Sequence, residues 1–254
     1  MSGKKRRGFV SPIGFALCLA LFSMVVVNYW IYSARWWFIK TQSDVYFLPP
    51  TISRAIAIDF IGDPFAFWIT VSAVCLAVCV GLMVAHYIGM RRHLVRPRRL
   101  LWAAVFVIMP LIVLTQAAAS VGMHMLSVYR FPDFHTMHMV GSYTFFANQA
   151  LVIVLYTIFN HAVLRDPDNA LRLELAGELS IAWVRRRRAL GLFCIAFTLV
   201  YFALFQAKNV YPYEEFPWIY IGYVSAEPAL ISMFLFVLVL SFADKFRLRP
   251  VVDV

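Results

Sequence analysis

Charged residues are scarce in this chain. Asp, Glu, Lys and Arg make up 14% of its 254 residues, whereas 62% of the residues are hydrophobic. Because a typical soluble domain carries about 25% charged residues, this composition excludes a soluble core. Six membrane spans of roughly 20 residues each would use about half of the chain, which leaves connecting loops and no room for a second folded domain.

Cysteine is also scarce, and all of it falls inside the predicted spans. The four cysteines are Cys18, Cys75, Cys79 and Cys194, so no loop disulfide is available. Cys75 and Cys79 are four residues apart and share a helix face. Two thiols in the middle of an apolar helix are more typical of packing than of metal binding.

Basic residues outnumber acidic ones by 23 to 13, and eighteen of them form four short clusters. The clusters are Lys4 to Arg7; Arg91, Arg92, Arg96, Arg98 and Arg99; Arg165, Arg172 and Arg185 to Arg188; and Lys245, Arg247 and Arg249. Two apolar stretches separate each cluster from the next. If each stretch crosses the bilayer once, all four clusters lie on the cytoplasmic side. Nucleic acid is not predicted as a partner, because the charge lies beside apolar spans and anionic lipid.

The predicted fold class is therefore all-α, a polytopic membrane protein with six transmembrane helices and both termini in the cytoplasm. The predicted spans cover about 12–34, 65–89, 100–126, 138–164, 189–207 and 219–243. The apolar segment 51–60, after Pro49 and Pro50, is predicted to lie along the membrane surface. Segment 166–184 is predicted to be a cytoplasmic amphipathic helix, because Leu171, Leu175, Leu179 and Trp183 are spaced by four.

Polar residues inside the spans carry the functional information, because an unpaired polar group in hydrocarbon is costly. Gln116, Ser120 and His124 are spaced by four in the third span, and Asn148 and Gln149 lie in the antiparallel fourth span. Gln116 and Asn148 fall at a similar depth and can bond to each other. Two interpretations remain open: these residues hold two helices in register, or they form the floor of a polar cavity.

Titratable residues gather near the exoplasmic ends of the spans. The candidate catalytic residues are His138, Glu227, Asp59, Asp63, His124 and His135. Glu227 lies several residues inside the sixth span, so its carboxylate needs a partner there. Arg54, Lys208 or a histidine of this group can supply one. The candidate lipid-binding residues are Gln116, Ser120, Asn148, Gln149, Arg54 and Lys208.

The histidines permit two further interpretations. His86 with His161, and His124 with His138, make two pairs that allow a haem-bearing electron carrier as a minor alternative. His138 and His161 are about 34 Å apart on a helix, beyond the hydrocarbon core, which argues against haem. A zinc hydrolase site can be drawn from His135, His138, His124 and a nearby carboxylate, but the sequence does not fix the geometry of the third ligand and of the water-activating carboxylate that such a site needs. We predict no cofactor and no metal.

Three segments resemble a known family of six-helix membrane proteins, the DRAM/FRAG/Sfk type. "YFLPPTISRAIAIDFIGDPFAFW" is similar to the first exoplasmic loop of that family, and "DFHTMHMVGSYTFF" resembles its turn into helix four. "YVSAEPALISMFLFVLVLSFADKF" resembles its glutamate-containing sixth helix. The nearest branch remodels the lipid of GPI anchors. Unlike some relatives, this chain has no loop cysteines.

The resemblance implies a protein that handles lipid on the lumenal or exoplasmic leaflet, in GPI-anchor lipid remodelling. Membrane lipids and GPI-anchored proteins are the implied partners. Acyl-exchange activity and an accessory role both remain open. The alternative is a non-enzymatic regulator of autophagy or lipid organisation that acts through its cytoplasmic loop. The implied location is the Golgi, ER or another endomembrane in a eukaryotic cell, and the plasma membrane otherwise.

Overall fold

A computed structural model describes residues 11–42 and 48–242, and this part of the chain is helical without strands. The basic clusters at 4–7 and 245–249 and the last residue of the predicted sixth span lie outside the described residues. The helices are α1 (Pro12–Gln42), α2 (Ile52–Ala55), α3 (Asp59–Gly89), α4 (Arg99–Ala103), α5 (Met109–Val128), α6 (His135–Leu164), α7 (Pro167–Leu175), α8 (Ile181–Ala207) and α9 (Pro217–Leu240).

Within residues 11–42 and 48–242, six helices are long and apolar enough to cross a membrane, which confirms the predicted all-α fold with six transmembrane helices. They are α1, α3, the continuous Arg99–Val128 segment, α6, α8 and α9. The chain is therefore an integral multi-pass membrane protein. The end of the bundle that carries Arg91–Arg99 and Arg165–Arg188 is called the arginine-rich end below, and the other end is called the opposite end.

Most spans are longer than the apolar runs that predicted them. α1 continues to Gln42 through an aromatic belt that consists of Tyr29, Trp30, Tyr32, Trp36 and Trp37, and α3 begins at Asp59 instead of 65. α8 begins at Ile181, so the arginines at 185–188 are helical. Hydropathy marks only the part of a helix inside hydrocarbon, whereas backbone hydrogen bonding continues until a residue breaks it.

The third span is irregular where proline removes a backbone donor. A π-helical turn at Ala104–Ile108 separates α4 from α5, and Pro110 is in the first turn of α5. Proline has no N–H and its ring collides with the carbonyl four residues before it, so an ordinary α-turn is disfavoured here.

The segment after Pro50 buries one apolar side against the bundle, whereas Asp59 and Phe60 at its end are exposed. Thr51 caps α2 by accepting a hydrogen bond from the Arg54 amide at 3.1 Å. Ile52, Ala55 and Ile56 are 5% exposed or less. Their side chains pack into the bundle core, because a one-turn helix can bury its apolar side only against neighbouring helices.

The predicted amphipathic helix at 166–184 is divided in two. α7 ends at Leu175, and Gly177 then adopts a φ of 72°, a conformation that glycine reaches without strain. Leu171 and Leu175 are exposed on α7, whereas Leu179 is buried in the following turn. The four-residue spacing therefore does not form one continuous apolar face.

Polar side chains of α7 and its cap hold the preceding basic loop. Asn169 Oδ1 accepts the Val95 amide at 2.8 Å, and Asp166 Oδ2 accepts the Arg98 amide at 2.8 Å. Asp166 and Asn169 are buried. These bonds satisfy backbone donors that would otherwise lie unpaired beside the bundle.

α5 and α6 approach closely through two glycines. A Cβ at Gly141 would come within 2.6 Å of the Leu126 backbone nitrogen, and a Cβ at Gly122 within 2.8 Å of the Gly141 oxygen. Small residues allow such backbone proximity between membrane helices. The contact fixes the relative position of the two helices whose ends carry Tyr129 and His138.

We expect Gly122→Ala to lower the free energy of unfolding by about 1–3 kcal/mol, because the backbone atoms around it cannot move aside easily. Gly81→Ala is the matched control, since a Cβ there meets nothing within 4 Å. Alanine should stabilise that helix by up to about 1 kcal/mol. Reversible unfolding of purified protein in mixed micelles measures both changes. Equal effects of the two substitutions would contradict the close approach.

Candidate functional site

A cavity of about 530 Å³ lies at the opposite end of the bundle, between α2, α6, α8 and α9. This volume is within the usual range for a small-molecule site. Its polar lining includes Ser53, Arg54, His135, His138, Lys208 and Glu227. Its aromatic lining includes Phe131, Tyr143, Phe146, Tyr201, Phe202, Phe205, Tyr220 and Tyr223. Five of the residues predicted from sequence therefore meet in one place: Arg54, His135, His138, Lys208 and Glu227.

A serine and a histidine are hydrogen-bonded at the wall of this cavity. Ser53 Oγ lies 2.8 Å from His138 Nε2, and His138 Nδ1 lies 2.9 Å from the Tyr129 carbonyl oxygen. Because a carbonyl oxygen only accepts, Nδ1 carries a proton and donates it to Tyr129. In the neutral ring Nε2 is then the acceptor, so the Ser53 hydroxyl donates to His138.

Two helix starts hold this pair in place. Ser53 lies in α2, directly after the Thr51 cap and the buried Ile52. His138 lies in the first turn of α6 and is 3% exposed. Tyr129 follows the end of α5, so the close α5–α6 contact also fixes the carbonyl that orients the imidazole.

Glu227 joins α9 to α2. Its Oε2 accepts the Ile52 amide hydrogen at 3.1 Å, and the carboxylate is attracted by Arg35 and Lys208. Arg35 also donates to the Val224 carbonyl at 3.2 Å. The carboxylate within the sixth span thus has a backbone donor and two nearby positive charges, as its depth requires.

Two cations face the cavity. Lys208 Nζ lies 4.8 Å from the ring centroids of both Phe205 and Tyr223. Burial lowers the pKa of Lys208, and the nearby Glu227 carboxylate opposes that shift. Arg54 donates a hydrogen bond to the Tyr220 hydroxyl, which in turn donates to the Pro49 carbonyl at 3.1 Å. Both side chains can bind an anionic group that enters the cavity.

Three predicted site residues lie away from the cavity. Asp59 and Asp63 are exposed and pair with Arg130, at 3.1 Å and 2.7 Å respectively. His124 is exposed on another side of α5, where its Nδ1 lies 2.9 Å from Thr70 Oγ1. Asp59 and Asp63 share a face of α3 because they are four residues apart, and that face meets Arg130 and not the cavity.

The candidate residues in the middle of the third and fourth spans, Gln116, Ser120, Asn148 and Gln149, also lie away from the cavity lining. Gln116 donates to Ser120 at 3.4 Å, and Ser120 donates to the Ala73 carbonyl at 2.9 Å. Asn148 donates to the Thr144 carbonyl of its own helix at 2.8 Å. Gln149, not Asn148, is the buried residue of the pair, and it lines a small separate pocket with Gln116. The predicted bond between Gln116 and Asn148 is therefore not formed, and these residues are not the floor of the cavity. Among these contacts, only the bond from Ser120 to Ala73 joins two helices, α5 and α3.

The histidines outside the cavity have other neighbours. His86 lies 3.6 Å from Glu178, and the two ring nitrogens of His161 face Arg165 at 3.3 Å and Arg188 at 3.5 Å. In the part of the chain that the structure describes, no three His, Cys, Asp or Glu side chains come together as metal ligands. In the two histidine pairs considered as haem ligands, His86 with His161 and His124 with His138, ring nitrogens thus face protein groups.

Ser53 and Arg35 are not among the functional residues predicted from the sequence. A lone serine has no spacing pattern, and its partner His138 is 85 positions away. The local signal is the cap sequence Thr51-Ile52-Ser53-Arg54 after two prolines, which predicts a short helix and places Ser53 within it. Arg35 lies within the aromatic belt of α1, where a cation is ordinarily an interfacial anchor.

Family models, curated proteins and solved structures were compared with the chain, and none of them matches it.

Proposed function

We propose that the chain binds a lipid of the exoplasmic leaflet in the cavity and takes part in remodelling that lipid. The observation that carries the proposal is a 530 Å³ cavity that joins two cations and many aromatic rings at the end of the bundle opposite the arginine-rich end. By the positive-inside rule, the arginine-rich end faces the cytoplasm, so the cavity faces the exoplasmic leaflet.

The lining suits an amphipathic ligand with a negative head group. Arg54 and Lys208 can bind a phosphate, since guanidinium and ammonium groups both donate to phosphate oxygens. The aromatic rings on α8 and α9, including Tyr201, Phe205 and Tyr223, offer apolar surface to glycerol or acyl chains. Phospholipids and the phosphatidylinositol portion of GPI anchors both have this chemistry.

GPI-anchor lipid remodelling is the process that we favour, because the segments carrying Ser53, His138 and Glu227 are those that resemble the DRAM/FRAG/Sfk-type proteins. Membrane lipids and GPI-anchored proteins would be the partners, and an endomembrane would be the location in a eukaryotic cell. The alternative of a regulator acting through residues 166–188 has less support, because the polar side chains of Asp166 and Asn169 bind the chain's own loop.

Filling the cavity tests this proposal. Ser142→Trp places a large ring in the cavity lining, whereas Val140→Trp places the same ring on the exposed side of α6. We expect Ser142→Trp to weaken binding of fluorescent phosphatidylinositol to the purified protein at least tenfold, and Val140→Trp to change it by less than about twofold. Fluorescence anisotropy in detergent micelles measures the binding.

Both variants must first show the wild-type elution profile and thermal unfolding. Equal binding by wild type and Ser142→Trp, with both proteins folded, would exclude the cavity as the lipid site. Binding that disappears in both tryptophan variants would point to a site on the outer surface of α6 and would also contradict the proposal.

A further inference from the structure

We infer that Ser53 and His138 are the nucleophile and general base of an acyl-transfer site, whose substrate is an ester-linked lipid with an anionic head group. This inference rests on the proposed lipid-binding function and assigns the chemistry of the same cavity. Three independent features carry it: the hydrogen bond between the pair, the tautomer fixed by Tyr129, and the position of both side chains in the cavity wall.

The hydrogen-bond chain has the direction that activates a serine. The Ser53 hydroxyl donates to His138 Nε2 at 2.8 Å, and His138 Nδ1–H donates to the Tyr129 oxygen at 2.9 Å. A base within about 2.6–3.2 Å of the nucleophile, oriented by a third group, is the arrangement that serine acyl transferases and hydrolases require. Here a backbone carbonyl takes the orienting place that a carboxylate has in many of them.

The neighbouring cations suit the charge that this reaction develops. Arg54 follows Ser53 directly in α2 and lines the same cavity as Lys208. Attack on an ester carbonyl places negative charge on its oxygen, and a positive charge held nearby stabilises that charge. A phosphate held by Lys208 would leave the ester linkage of the same lipid within the cavity.

The reaction balances with the lipid and one acceptor, either water or an alcohol. Ser53 Oγ attacks the ester carbonyl carbon while its proton passes to His138 Nε2. The tetrahedral intermediate collapses, the bond from carbon to the glycerol oxygen breaks, and that oxygen takes the proton from His138. The acyl group is now an ester of Ser53. Water or the hydroxyl of a lysolipid then attacks it and gives its proton to His138, which returns that proton to Ser53 as the serine is released.

A purely structural role is the competing explanation, because the same bond also ties α2 to α6. The chain offers a matched control for it. Thr70 Oγ1 and His124 Nδ1 form a hydroxyl–imidazole bond of 2.9 Å between α3 and α5, outside the cavity. Thr70→Val therefore removes a comparable interhelical bond without touching the cavity.

The test uses the full-length protein in lipid nanodiscs with phosphatidylinositol that carries a fluorescent acyl chain. We expect wild type to release the labelled acyl group to water or to added lysophosphatidylinositol. Ser53→Ala and His138→Gln should each lower this rate at least about a hundredfold, while Thr70→Val keeps it within about threefold of wild type. A fluorophosphonate probe should label wild type and Thr70→Val but not Ser53→Ala.

Lipid binding is measured on the same samples, so that a failure of the acyl-transfer inference can be distinguished from a failure of the proposed lipid-binding function. Wild type that binds the labelled lipid but neither transfers its acyl group nor reacts with the probe overturns this inference and leaves the proposed function standing. Absence of binding overturns both. If Ser53→Ala does not fold, Ser53→Cys supplies the test, because acyl transfer should then become sensitive to a maleimide reagent. Transfer by Ser53→Cys that is insensitive to maleimide would contradict the inference.

Discussion

Replacing Glu227 with alanine is expected to lower the free energy of unfolding by about 3–5 kcal/mol. The substitution leaves the Ile52 amide without its acceptor and removes the negative charge that faces Arg35 and Lys208. It also opens space beside a residue that is 5% exposed. Loss of the bond from Ile52 should loosen α2, which carries Ser53. Reversible unfolding in mixed micelles, followed by circular dichroism, measures the change.

Two further substitutions at Glu227 separate the causes. Glu227→Gln keeps the volume and an acceptor oxygen for Ile52 but removes the charge, and we expect a loss of about 1–2 kcal/mol. Glu227→Leu keeps only the volume, so its loss should lie between those of glutamine and alanine. If alanine were no more destabilising than glutamine, the bond to Ile52 would contribute little, and the anchoring of α2 by α9 would be disproved.

Charge clusters and apolar runs are sufficient to predict the spans and much of the membership of the cavity. They assign residues to one end of the bundle, and the residues assigned to the end away from the arginines include Arg54, His135, His138, Lys208 and Glu227. Membrane helices make this possible because their length and direction are set by the bilayer. With six spans, three of the five connecting segments must lie at the opposite end of the bundle, and this holds however the helices pack.

The rotation of each helix about its own axis, which decides which residues face the cavity, could not be predicted from the sequence. Asp59 and Asp63 are at the same end as the cavity, but their face of α3 points to Arg130. The four arginines at 185–188 look equivalent in a sequence and differ in the structure: Arg187 is 1% exposed, while Arg185 and Arg186 are exposed. Successive residues are about 100° apart on a helix, so only one of the four arginines can face inward. Which one does so depends on the packing of neighbouring helices, and a local sequence pattern does not contain that information.

Arg187→Ala should therefore destabilise the protein by about 3–5 kcal/mol, even though a run of arginines beside a span ordinarily reports only membrane orientation. The Arg187 guanidinium donates to Asn160 Oδ1 and to the Ser241 carbonyl oxygen, both at 3.4 Å. Tyr87 donates to the same carbonyl at 3.3 Å. Alanine would leave a large cavity among α6, α8 and the end of α9 and would remove donors from two buried acceptors.

The neighbouring arginine supplies the control. Arg185→Ala removes the same charge from the exposed side of α8 and should change the free energy of unfolding by no more than about 0.5 kcal/mol. Arg187→Met retains much of the buried volume without the donors, so its loss should be smaller than that of alanine. Equal stability of the Arg187→Ala and Arg185→Ala proteins in the same micelles would mean that Arg187 contributes only to topology. A large difference would show that Arg187 stabilises the fold. Both arginines contribute equally to the positive-inside charge, so the difference would come from the burial of Arg187.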